Sequence, residues 1–326
     1  MMLSRSSSVS LNHTTTTNSK GSNRTTLVGR SRAGDGTSFA IPELKWMFDV
    51  GALVQGWKPK IVFVSHCHSD HVHYLTHIKN SQHPPTIYLP AEAAPFVKNH
   101  LHAHQEMSDC MTEEESQNGG KYGEDYILRP TIPGEEIVIR QGGSEYVVRT
   151  VAMEHRVPCL GYSIFRKNSR LKDEYVGLPG REIGKLRKEG VEVTTSYEEA
   201  LVCFMGDTTA AAFENNTDIL RQHKYVIVEC SFIDDMDDAS RERANKTKHM
   251  HWGSLKPYVE ANPDTMFLLT HFSLKYSVLT LRKFFCRQQE QLHNAHPMIV
   301  EEEVNESWTC EGEPPRCKCR MCAEKQ

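Results

Sequence analysis

His66, His68, Asp70 and His71 fall within six residues, directly after the apolar run KIVFVS. Imidazole nitrogen and carboxylate oxygen are good ligands for zinc and for the neighbouring borderline metals. Four such side chains packed behind a buried strand would leave dense unpaired polarity unless something binds them. A lone histidine is usually a satisfied core residue; a tetrad of this density reads as a metal site. One such run supplies at most four ligands, and two metals about 3.5 to 4 Å apart need more, including a carboxylate able to bridge. Later apolar runs supply three: His155 after VVRTVAME, Asp207 in MGDTT after LVCF, and His271 in LTHFS after MFL. His73, His77, His102 and His104 break the pattern and read as helix or loop residues.

The elements that would position these groups are legible. Strand candidates are SFAIP, LKWMFDVG, KIVFVSH, TIYLP, EIVIR, EYVVRTVAMEH, GYSIF, LVCFMGD, KYVIVEC and TMFLLTH. Between them lie helix-period segments, among them AEAAPFVKNHLHAHQE, GREIGKLRKEG, TTAAAFENN, SLKPYVEAN and SVLTLRKFFCRQQEQLH. Strands and helices interleave with no linker long enough to divide them, which predicts one layered α/β domain over 26–299. Polar residues just past several apolar strands collect at one sheet edge, where α/β proteins build sites. Asp49, in FDVG, is placed to orient the ligand loop rather than to bind metal.

Composition bounds the remaining readings. Of 326 residues, 38% are hydrophobic and 25% charged, ordinary globular values, and the net charge of −4 makes no case for nucleic acid, so any basic surface has to be local. No apolar run approaches the roughly 18 residues that span a bilayer. The start, MMLSRSSSVSLNHTTTT, has no apolar core of a secretory signal. Residues 1–25 are rich in Ser, Thr and Asn and read as a disordered tail, with an organelle transit peptide as the weaker alternative. The scattered single cysteines (Cys67, Cys110, Cys159, Cys203, Cys230, Cys286) suit a reducing, intracellular compartment. That places the chain in cytoplasm or nucleus ahead of mitochondrion or plastid. Residues 300–326 read as an acidic linker and a cysteine-rich tail, where Cys310, Cys317, Cys319 and Cys322 offer the four thiolates of a structural zinc, against an unstructured reduced tail.

With those motifs in place, the sequence resembles the metallo-β-lactamase-fold hydrolases, and within them short-form ribonuclease Z, the tRNA 3′-endonuclease. The resemblance runs from about Leu27 to Ile299. It rests on FDVG at Phe48–Gly51, SHCHSDH at Ser65–His71, His155 followed by GYSIF, FMGDTT at Phe204–Thr209, VECSF at Val228–Phe232, KHMH at Lys248–His251 and THFSLKY at Thr270–Tyr276. It implies a four-layer αββα sandwich. It implies one zinc on His66, His68 and His155, a second on Asp70, His71 and His271, and Asp207 bridging both, with manganese as the alternative metal. Asp70 would also accept a proton from the attacking water, while Glu229 and His249 would relay one toward the leaving group. Ser273 and Lys275 would meet the scissile phosphate. Two positions depart from the family: Lys275 stands where arginine is usual, and His73-Tyr74 where Gly-Gly is usual, which makes the loop after the tetrad bulkier.

Substrate has to be argued from another segment. From Arg166 to Lys188 the chain holds eight basic residues (Arg166, Lys167, Arg170, Lys172, Arg181, Lys185, Arg187, Lys188) against three acids (Asp173, Glu174, Glu182). A local excess of this kind suits phosphate-backbone binding, and relatives carry their tRNA-gripping arm in this interval, here 166–190. The resemblance therefore implies cleavage of precursor tRNA 3′ of the discriminator nucleotide. It likewise implies a tRNA 3′-hydroxyl and a 5′-phosphate trailer as products, and a homodimer whose arm would serve the partner's site. Two rival readings stand beside it: a phosphodiesterase or thioesterase of the same fold acting on small substrates, and a non-catalytic RNA-binding scaffold. The basic arm and the Glu229–His249 pair argue against the first, and the complete ligand set against the second.

Overall fold

The structure, a computed structural model, describes residues 7–12, 24–54, 58–111, 125–234 and 238–299. One sheet runs in the order β1 (Ser7–Asn12), β2 (Arg24–Ala33), β3 (Gly36–Ile41), β4 (Trp46–Phe48), β5 (Ile61–Phe63), β6 (Thr86–Pro90), β7 (Ile127–Thr131). Its first four strands are antiparallel, and β4 to β7 are parallel. The second sheet repeats that plan. Here β8 (Glu136–Gln141), β9 (Ser144–Ala152), β10 (Leu160–Leu171) and β11 (Thr194–Phe204) are antiparallel. Parallel pairing then continues through β12 (Tyr225–Glu229) and β13 (Met266–Thr270). A two-residue strand, β14 (Phe272–Ser273), pairs with β2 in the first sheet, and β15 (Ala295–Pro297) closes the second.

The alternation of side chains along these strands sorts the interior into three layers. Phe48 and Phe63 point between the sheets with Tyr162, Phe204 and Leu268. Met47 and Val62, one residue away, face outward with Ala94, Val97 and Leu101 of helix α2. On the other side Val226, Val228, Phe267 and Leu269 pack with Phe213, Trp252 and Phe285. Helices α1 (Ser69–Val72) and α2 (Ala94–Asp109) belong to the first sheet. Helix α3 (Gly180–Lys188) stands apart between β10 and β11. Four of the remaining helices are α4 (Ala211–Asn215), α5 (Asp218–Gln222), α6 (Asp238–Thr247) and α7 (Trp252–Ala261), and the last is α8 (Val278–Gln289). Aromatic rings stitch the two sheets together, with Phe48 and Phe204 centroids 5.1 Å apart and Phe63 and Tyr162 5.0 Å apart. This is the four-layer αββα sandwich.

Several expectations are corrected. Ser7–Asn12 is a strand paired with Arg24–Gly29, and Leu11 is fully buried, so the Ser/Thr-rich tail contributes an edge strand where disorder is expected. β2 and β7 escape the pattern because one is interrupted by Gly29, Arg30 and Arg32 and the other carries Pro130, which an edge strand accepts. The cysteine-rich tail, with the four thiolates expected to hold a structural zinc, lies outside the described residues, as do 1–6, 13–23 and the rest of 300–326.

Candidate metal centre

Five strands, β4 and β5 of the first sheet and β11, β12 and β13 of the second, lead to one place, and each hands over a functional residue there. β4 ends at Asp49, β5 runs through Ser65 into the tetrad, β11 into Gly206-Asp207, β12 ends at Glu229, and β13 is followed by His271. Two backbone features aim them. His271 has φ 59°, because the chain leaves the second sheet at Thr270 and joins the first at Phe272; the crossover residue sits between the sheets. Gly206 has φ 59°, and a Cβ there would lie 2.6 Å from Ser65 Cβ, so only glycine lets the turn bring Asp207 back against the β5 loop.

Seven side chains converge. His66 Nε2 approaches His68 Nδ1 at 2.9 Å, and His155 Nε2 approaches the same atom at 3.2 Å. Beside them His71 Nε2 lies 3.2 Å from His271 Nε2, and Asp70 Oδ2 lies 3.3 Å from the latter. Asp207 Oδ2 stands between the two groups, 3.7 Å from His66 Nε2, 3.5 Å from His71 Nε2 and 3.4 Å from His271 Nε2. The ligand atoms of His66, His68 and His155 lie within 4.8 Å of one another, as do those of Asp70, His71 and His271.

The outer atoms decide the protonation of the inner ones. His71 Nδ1–H donates to Asp49 Oδ2 at 2.7 Å. Ser65 Oγ donates to the same carboxylate at 2.8 Å, so the hydroxyl is left to accept from His66 Nδ1–H at 3.1 Å. His155 Nδ1–H donates to the Lys248 carbonyl at 2.9 Å. Ser231 Oγ donates to Glu229 Oε2 at 2.6 Å and accepts from His271 Nδ1–H at 3.0 Å. Four imidazoles therefore carry their protons outward and turn bare Nε2 lone pairs toward one another and toward two carboxylates. Lone pairs at such separations repel unless a cation lies among them, and fixing a ligand histidine by its second nitrogen is the usual support of a metal site. The donor set fits divalent metal of the zinc type.

Electrostatics divide the rings: burial would lower His71, but the Asp207 and Asp49 carboxylates outweigh it and raise that ring well above its ordinary value, whereas three others go down. Burial, and then the neighbouring histidines, push His66 well below its ordinary value, and burial likewise lowers His68 and His155, so these rings are neutral ligands. Burial by itself would raise the carboxyls of Asp70 and Asp207, but the surrounding histidines, with the Gly34 amide donating to Asp70 Oδ2 at 2.7 Å, hold both below the usual carboxylate range. His249 Nδ1–H donates to Glu229, 3.0 Å from Oε1 and 3.1 Å from Oε2, and the Thr208 amide donates to Oε1 at 2.7 Å. Burial opposes charge on the His249 ring, yet Glu229 outweighs it and lifts the pKa to about 9.

The substrate-facing residues expected from sequence divide. Arg166 is paired with Glu199 at 2.6 Å and Lys167 with Glu145 at 2.9 Å, so both are tied into the sheet rather than free for phosphate. The count over 166–188 stops short of the returning strand, whose Glu198 and Glu199 lie opposite Lys167 and Arg166. Arg170, Lys172, Lys185, Arg187 and Lys188 have no ion pair among the described residues; all but the half-buried Lys172 are exposed, on a two-stranded ribbon capped by α3. Lys275 is engaged by Asp234 at 2.6 Å and lies over the rings of Phe232 and Tyr276, so its ammonium already has a counter-ion. Ser273 is half-exposed at the end of β14, with its amide donating to the Ser231 carbonyl. Sequence reasoning missed Ser65, Ser231 and Gly34. The two serines lie inside quoted motifs, whereas a backbone amide leaves no side-chain signal.

Residues 38–166 match the metallo-beta-lactamase superfamily. The chain is 30% identical over 274 residues to the chloroplastic tRNase Z TRZ2 of Arabidopsis thaliana, covering 82% of this chain and 72% of that protein. It is 30% identical over 174 residues to the nuclear ribonuclease Z of Triticum aestivum, 52% of this chain and 90% of that one. The crystal structure of human tRNase Z, short form, aligns with 90% of this chain and 98% of its own at TM-score 0.46 and 14% identity.

Proposed function

The chain belongs to the ribonuclease Z family of metal-dependent hydrolases, and from that footing we propose that it removes the 3′ trailer from precursor tRNA by endonucleolytic hydrolysis. The observation that carries this reading is the Glu229–His249 pair beside the converging ligands, since a half-buried acid donor at that place suits departure of a ribose oxygen. We assign one zinc to His66, His68 and His155, a second to Asp70, His71 and His271, and the shared position to Asp207. Two such cations acidify water and offset charge growing on the phosphoryl oxygens.

The chain's own residues do the rest. Asp70, kept ionised and oriented by the Gly34 amide, accepts the proton of the attacking water. His249, charged near neutrality through Glu229, gives its proton to the departing 3′ oxygen, leaving a tRNA 3′-hydroxyl and a trailer with a 5′-phosphate. The ribbon over 166–190 grips tRNA through Arg170, Lys172, Lys185, Arg187 and Lys188. The proposal extends to a homodimer, to a hydrolase domain over 26–299, and to a cytoplasmic or nuclear location; relatives include chloroplastic and nuclear forms, and among the described residues no helix is long and apolar enough to cross a membrane.

The test is cleavage of a precursor tRNA bearing a 3′ trailer by purified protein, with both products sized and Asp70→Ala as control. A single cut after the discriminator, lost in the variant, is expected. An intact trailer alongside hydrolysis of a simple phosphodiester or thioester would replace this reading with that of a small-substrate hydrolase.

A further inference from the structure

Immediately after the ligand run, three rings stand in a row that the mechanism does not use. His73 and Tyr74 meet edge to face with centroids 4.8 Å apart at 84°, and Tyr74 and His77 follow at 5.2 Å and 66°. His73 and His77 are exposed and Tyr74 is half-buried. Their backbone is firmly held. The His73 amide donates to the Ser69 carbonyl at 2.9 Å, that of Tyr74 to the Val50 carbonyl at 2.8 Å, and Leu75, which follows, is buried. His77 Nδ1 is further pinned by Thr76 Oγ1 at 3.2 Å. On a helix, residues three apart are neighbours with Cβ atoms about 5 to 6 Å apart. His73 therefore lies one turn from Asp70, on the same side, at the edge of the reacting centre. Its side chain makes no hydrogen bond or ion pair among the described residues.

We propose that His73, backed by Tyr74 and His77, is a stacking platform for the unpaired nucleobase that flanks the scissile phosphate. This rests on the RNA-cleaving reading above and names a positioning contact within it. Rigid, solvent-facing rings contribute nothing to the core, whereas single-stranded RNA is recognised chiefly by stacking of splayed bases on aromatic side chains and histidine. Of the cations expected near the phosphate, Lys275 is already engaged by Asp234, which leaves orientation of the reacting nucleotide to contacts of another kind. A platform made of rings also accepts any base, as a processing enzyme acting on many tRNAs requires.

The experiment compares wild type, His73→Ala, His73→Phe and His73→Lys on one precursor tRNA, and on two versions lacking the base on the 5′ or the 3′ side of the cut. Metal content and circular dichroism are measured on each variant. His73→Ala is expected to raise KM about tenfold or more with kcat little changed, and His73→Phe to restore it. Removing one of the two bases should erase the difference between wild type and His73→Ala, which also identifies the stacked nucleotide. The proposal is overturned if the alanine variant loses the same factor on all three substrates, if it loses nothing, or if lysine rather than phenylalanine restores activity, which would mark a phosphate contact. Should wild type leave every precursor uncut, the RNA reading itself falls, and the platform with it.

Discussion

The Nδ1–H of His249 lies 3.0 Å from Oε1 and 3.1 Å from Oε2 of Glu229, so one imidazole proton is shared across both oxygens of a buried carboxylate. The carboxylate is in turn held by the Thr208 amide and the Ser231 hydroxyl, which prevents it from turning away. An acid of this kind stays charged well above the usual histidine range.

From that pair follows a pH dependence. His249 must carry its proton to act as an acid, and its pKa is raised to about 9, so activity should hold through neutrality and fall as pH rises through that value. Glu229→Gln removes the charge while keeping the shape. Burial is then opposed by Asp207 alone and the ring's pKa falls, so the alkaline limb should move to lower pH and kcat at pH 8 should fall roughly ten- to a hundredfold. The kcat–pH profiles of the two proteins check this; coincident alkaline limbs would remove His249 from the proton transfer.

Asp49 touches His71 and, through Ser65, His66, without reaching toward the centre itself. Asp49→Asn sets an amide N–H against donors, the Ser65 amide on one side or His71 Nδ1–H and the Ser65 hydroxyl on the other, so the acceptor of His71 and the anchor of the serine that accepts from His66 are both weakened. Zinc affinity should fall about ten- to a hundredfold. Competitive titration against a chromophoric chelator measures it, and an unchanged affinity would show that the ring orientations do not depend on Asp49.

The exposed end of the arm should matter for tRNA alone. Replacing Lys185, Arg187 and Lys188 with alanine should raise KM for precursor tRNA several-fold and flatten its dependence on salt, because fewer counterions are released on binding. Hydrolysis of a small phosphodiester by the same variant should be unchanged. Equal losses on both substrates would mean that the ribbon supports the fold and not the RNA.

Acid stability should depend on a histidine far from the metal centre. His223 is buried against Ser163 and Phe165, and burial, with Arg149 nearby, pushes its pKa from 6.5 down to about 4. The folded state therefore resists a proton that the unfolded chain takes up. Stability is intact above 6.5, declines as pH falls from there toward 4, and levels off below, a loss on the order of 3 kcal/mol. Urea unfolding of wild type and His223→Gln at pH 7 and pH 4.5 isolates this contribution, since protonation of the metal ligands is common to both. Equal acid losses in the two proteins would clear His223.

The sequence by itself determined which residues gather at the site. Apolar runs of period two announce strands, and ligand-type residues placed just past them have to reach one edge of the layers, so the tetrad, His155, Asp207 and His271 were legible without coordinates. Glu229 and His249 were legible only through resemblance, because a single Glu and a single His mean little alone. The tertiary structure decided the rest, and for one physical reason: those properties depend on contacts between residues remote along the chain. The outward protons of His66, His71, His155 and His271 are set by Asp49, Ser65, Ser231 and the Lys248 carbonyl. The strand Ser7–Asn12 exists because β2 pairs with it, although its composition reads as a tail. Arg166 and Lys167 read as part of a basic arm until the returning strand and β9 bring Glu199 and Glu145 against them, and Lys275 reads as a phosphate ligand until Asp234 is found holding it. Residue type and spacing specify which groups come together; only the folded chain assigns each one its partner.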